Sequence, residues 1–94
     1  MTNDALTDIR ARLDDVDARL VDLLAERTGL VREVIDFKRA QSMGVVDRGR
    51  EDDMLQRTSD LASERGLDPR IARQVLRAVI DAFTLLEVEQ LGPD

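Results

Sequence analysis

The stretch LTDIRARLDDVDARLVDLLAERTGLVREVIDFKRA, residues 6–40, decides the fold. Its apolar positions Leu6, Ile9, Leu13, Val16, Leu20, Leu24, Val31 and Val34 keep the three-and-four spacing that puts side chains on one stripe of an α-helix. No proline interrupts the run, and Gly29 is its one weak helix former. A single helix over residues 6–40 is about 52 Å long at the usual rise per residue. A compact globule of 94 residues is only roughly 32 Å across. The helix must therefore overhang its own domain, and a stripe that stays apolar along the overhang points to burial against a second copy of the chain. The alternative is a helix broken near Gly29 and folded back as a bundle.

Beyond this stretch, Gly44, Val45 and Val46 break the pattern. Asp47 is placed to cap a second, more polar helix running to about residue 65, with Met54, Leu55, Thr58, Leu61 and Ala62 inward. Gly66, Leu67, Asp68 and Pro69 then supply, in order, a C′ glycine, an apolar contact, an N-cap and an N1 proline, so a third helix begins at Pro69. Its stripe is Ile71, Val75, Leu76, Val79, Ile80, Phe83 and Leu86, and Gly92 with Pro93 stops it after about residue 91. The expected fold is all-α: a long helix, a short helix and a third helix in one domain, 1–94, as a helical-bundle homodimer in which the overhang is buried against the partner.

Composition bounds the function. Fourteen Lys and Arg against 20 Asp and Glu leave a formal charge of -6, which argues against a nucleic-acid or anionic-membrane footprint. The chain contains 0 cysteines, so disulfides, thiolate catalysis and Cys-ligated zinc are excluded, and a cytoplasmic location is expected. The first residues, Met1 to Asp4, lack the apolar core of a signal peptide, and no apolar run approaches a membrane span. Histidine is likewise absent, removing the commonest general base and metal ligand. Any chemistry here must need little proton transfer.

Charges interrupt the apolar seams. The first stripe, followed in steps of three and four, reads Leu20, Leu24, Arg27, Val31, Val34, Lys38, with Arg10 flanking Ile9 at its edge. The third places Glu87 on the face of Ile80 and Phe83, and Asp47, Arg50 and Glu51 gather at the start of the second helix. One reading has Arg27 and Lys38 snorkelling or pairing with Glu87 in a buried ion network, and Arg10 as an ordinary surface charge. The other is a cationic pocket for a small polyanion, because Arg forks match carboxylates bidentately and Lys adds a compact donor.

The segments IRARLDDVDARLVDLLAER, VIDFKRAQSMGVVDRGRE and GLDPRIARQVLRAVIDAF, with the ordered set Arg10, Arg27, Lys38, Asp47, Arg50 and Glu51, resemble the all-helical chorismate mutases (type II) over nearly the whole chain. The resemblance implies an isomerase that converts chorismate to prephenate in the shikimate pathway, for phenylalanine and tyrosine biosynthesis, with no cofactor and no metal. It also implies a homodimer in which each site borrows Arg10 from the partner. Arg27 and that Arg10 would hold the substrate carboxylates, and Arg50 would add positive charge. Asp47, through its backbone amide, and Glu51, through its carboxylate, would meet the C4 hydroxyl. Lys38 would bond the ether oxygen and a carboxylate, and Glu87 would complete the ether-oxygen contact. Phe83 departs from the pattern: many relatives carry Ser there, and Thr84 lies about 100° further around the helix. The same fold serves isochorismate-pyruvate lyases and aminodeoxychorismate mutases, and a non-catalytic helical dimerisation module is the alternative from another class.

Overall fold

The computed structural model describes residues 2–45 and 47–92, with side chains from Asp4 onward. Three helices follow one another: α1 (Thr2–Gln41), α2 (Arg48–Glu64) and α3 (Pro69–Leu91). The chain divides into two compact units, Met1–Glu33 and Val34–Asp94. The parts expected of Val46 in the break and of Pro93 in stopping the third helix fall outside the described residues.

α1 is 40 residues long and runs through Gly29 without a break. The folded-back alternative is thereby ruled out. A Cβ at Gly29 would meet nothing within 4 Å, so one glycine costs about 1 kcal/mol of propensity in a helix that 39 other positions extend. The helix starts earlier than expected, at Thr2, because nothing before Leu6 stops it and Asp4 complements the positive end of the helix dipole. The first unit consists of this helix alone. Its stripe residues Leu6, Ile9, Leu13, Val16, Leu20 and Leu24 are each more than two-fifths exposed. An i,i+4 pair, Asp8 with Arg12 at 3.1 Å, lies on the exposed surface.

α1 ends at Ser42, whose φ of 54° is left-handed. Met43 N–H reaches back to the Lys38 carbonyl at 2.9 Å and Ser42 N–H to that of Arg39 at 3.4 Å, a Schellman closure with serine where glycine is usual. The second unit holds the last turns of α1 together with α2 and α3, around Ile35, Val45, Leu55, Ala62 and Ile80. Val45, in the connection, is drawn into this core.

The start of α2 follows the capping rule. Asp47 is extended, and its Oδ1 accepts from Arg50 N–H at 3.0 Å. Between α2 and α3 the chain turns at Gly66, with φ 73°. Leu67 N–H bonds the Ala62 carbonyl at 2.9 Å and Gly66 N–H that of Ser63 at 3.3 Å, a second Schellman closure. Asp68 then caps α3 through Arg70 N–H at 2.9 Å, with Pro69 in the first turn. The two helices pack on each other as an αα-hairpin. Leu61, Ile71 and Val75, expected inward, are exposed; α2 and α3 meet along a narrower face than their stripes offer.

Candidate active site

Lys38 lies in the last turn of α1, where its charge complements the helix's negative end. Its Nζ donates to the Val45 carbonyl at 2.9 Å and to Glu87 Oε1 at 3.3 Å. The Lys38 and Glu87 side chains are only 16% and 13% exposed. This pair is the contact that the ion-network reading expected of Lys38. Each ion offsets the other's desolvation, and the carbonyl occupies a further proton of the ammonium. Val45 serves this arrangement twice: its buried side chain anchors the connection, and its carbonyl fixes the ammonium.

Glu87 projects from α3 on the face of Ile80, which is buried, and of Phe83, which is half-buried. Nearby, Arg39 Nη2 donates to the Gln90 carbonyl at 3.1 Å, a second tie between the end of α1 and the end of α3. Glu51, near the start of α2, is half-buried and accepts from Arg77 Nη1 at 3.1 Å. The same Nη1 lies 3.5 Å from Asp81 Oδ1, one turn further along α3. Asp47 and Arg50 are exposed, the Asp47 carboxylate being used as the α2 cap.

The second unit therefore brings together the pair Lys38 and Glu87, and joins Glu51 to α3. Arg10 and Arg27 belong to the first unit, Arg10 exposed and Arg27 half-buried. Sequence reasoning missed Arg77. A signal was there: Glu87, Thr84, Ile80 and Arg77 step backwards along α3 by three, four and three residues, so Arg77 continues the face that carries Glu87. A recess of about 400 Å³ on the α2 and α3 hairpin is lined by Leu55, Arg70, Arg73, Gln74 and Arg77. None of the expected site residues lines it. Among the described residues no cluster of acidic side chains is disposed to hold a metal ion, and no helix is long and apolar enough to cross a membrane.

The family model for chorismate mutase type II matches residues 9–88, a span that runs past both Arg10 and Glu87. The chain is 27% identical over 86 residues to a protein of Methanocaldococcus jannaschii named chorismate mutase, covering 92% of this chain and 87% of that one. It is 37% identical over 75 residues to the T-protein of Enterobacter agglomerans, covering 80% of this chain but 20% of that longer protein.

Proposed function

The chain belongs to the chorismate mutase type II family, and from that membership we propose how its residues divide the conversion of chorismate to prephenate. The activity is that of a chorismate mutase, an isomerase. The reaction is intramolecular: an ether C–O bond breaks as a C–C bond forms, charge builds on the ether oxygen, and no proton changes hands. An enzyme can accelerate it by holding the substrate folded for attack and by presenting donors to that oxygen in a dry site.

Lys38 meets the developing charge on the ether oxygen. The observation that carries this reading is its withdrawal from water beside Glu87, with the ammonium already fixed by the Val45 carbonyl, so that little reorganisation accompanies the reaction. Glu87, beside Lys38, completes the contact with the same oxygen. Arg27 and the partner subunit's Arg10 clamp the two substrate carboxylates, and Arg50 adds positive charge. The Asp47 backbone amide and the Glu51 carboxylate meet the C4 hydroxyl, while Phe83 closes the apolar side of the site in place of a serine contact.

The chain acts as one domain, 1–94, in an intertwined homodimer. What supports the dimer is the apolar stripe of the first unit, which has no second element in that unit to cover it. Prephenate then serves phenylalanine and tyrosine synthesis in the cytoplasm. The test is purified protein offered chorismate, isochorismate and aminodeoxychorismate separately, with products identified. Prephenate from chorismate at a rate well above the other two conversions is expected; release of pyruvate from isochorismate, or preference for the amino compound, would reassign the substrate on the same fold.

A further inference from the structure

Glu51 holds a carboxylate that is only 16% exposed, and a charge so far withdrawn from water needs a partner. α2 supplies none: the guanidinium that reaches it crosses from α3, Arg77 Nη1 to Glu51 Oε1 at 3.1 Å. Asp81, which is mostly exposed, touches the same nitrogen at 3.5 Å, so Arg77 is held between a screened carboxylate and a withdrawn one. We infer that Arg77 is a positioning and specificity-determining residue, which orients and neutralises Glu51 so that the site selects a hydroxyl over an ammonium at ring C4 of the substrate. This rests on the reading of Glu51 as the acceptor for that group.

The contact engages Oε1, and a carboxylate has a second oxygen with which to accept a hydrogen bond. Held by Arg77, Glu51 presents that oxygen in one orientation and as part of a neutral pair. A neutral pair accepts well from a hydroxyl. A substrate with an ammonium at C4 gains less from it, because the cation that would be drawn to Glu51 also approaches Arg77, a charge of its own sign. Without Arg77 the same position would carry an uncompensated carboxylate, which favours the cation. Arg77 is itself 42% exposed, so water screens its field, and the selectivity it confers is about tenfold rather than thousandfold.

The experiment compares kcat/KM for chorismate and for 4-amino-4-deoxychorismate in full-length wild type, Arg77→Met, Arg77→Lys, Glu51→Gln and the double variant Glu51→Gln with Arg77→Met. The ratio of hydroxy to amino substrate should fall by about tenfold in Arg77→Met and be largely kept by Arg77→Lys. In the Glu51→Gln background, the Arg77→Met change should lower the ratio much less, since only the repulsion between Arg77 and the cation is then left to lose. Should the methionine variant not fold, as judged by helical circular dichroism, Arg77→Gln gives the same readout, keeping a donor without the charge. Equal loss toward both substrates in Arg77→Met, or the same drop in ratio with Glu51 already replaced, overturns the inference. Wild type inert toward chorismate would overturn the mutase reading itself. An active wild type whose ratio ignores Glu51→Gln would instead overturn only the placement of Glu51 at C4, and this inference with it.

Discussion

At the scale of single residues, Lys38 is withdrawn from water against Glu87, whereas the exposed Asp47 caps a helix. If Lys38 meets charge that develops chiefly in the transition state, Lys38→Ala should lower kcat by about a hundredfold or more with a smaller change in KM. Steady-state kinetics on chorismate decide it, and an unchanged kcat with raised KM would move Lys38 to carboxylate binding. Asp47 spends its carboxylate on the α2 cap. Asp47→Ala should therefore cost about 1 kcal/mol of stability, most of it recovered in Asp47→Asn, with kcat in the asparagine variant close to wild type; urea denaturation and kinetics on the same preparations check both. The meeting of Lys38 and Glu87 was legible because each ends or interrupts an apolar stripe, where a lone charge is costly. The bond from Arg77 to Glu51 was not, because an arginine beside an apolar stripe is ordinary, and only the packing of α2 on α3 decides which carboxylate it meets.

At the scale of the helices, local chemistry was readable wherever it was satisfied locally. Gly66 to Pro69 marked the turn because the closure of α2 and the cap of α3 both lie within it. The end of α1 falls at Gln41, one residue past its expected place, and the left-handed residue that closes it is Ser42. Its position is set by tertiary demands, the burial of Val45 and the bond from Lys38 to the Val45 carbonyl, which no local pattern encodes. The cap of α3 also makes a pH prediction. The Arg70 side chain, and then the Arg70 backbone N–H, hold the Asp68 carboxyl below the usual carboxylate range. A depressed folded value means that folding favours the ionised form. The contribution is complete above the ordinary carboxylate range and is lost as pH falls through the lowered value. The urea midpoint of wild type should thus exceed that of Asp68→Asn at neutral pH and converge on it in strong acid. A gap that stays constant with pH would remove Asp68 as the titrating group.

At the scale of the whole molecule, the length of α1 was legible from stripe and length alone, and its passage through Gly29 follows from how little one glycine weighs against so long a helix. What the stripe covers was not legible residue by residue, since an apolar face states that it needs a partner without stating the register. If Arg10 acts across the dimer, mixing Arg10→Ala with Arg27→Ala protein should restore activity toward about a quarter of wild type, because half of the chains enter heterodimers and each heterodimer has one intact site. A cis arrangement gives no rescue. Sedimentation should show dimers at micromolar concentration. The bare stripe of the first unit carries one more consequence, for dose. If folding of that helix is completed by association, the melting temperature should climb with protein concentration, and scanning calorimetry across a hundredfold dilution series would reveal it. A cell that makes half as much of this chain would then lose more than half of its flux at concentrations near the dimer's dissociation constant, so the amount synthesised would itself set the specific activity.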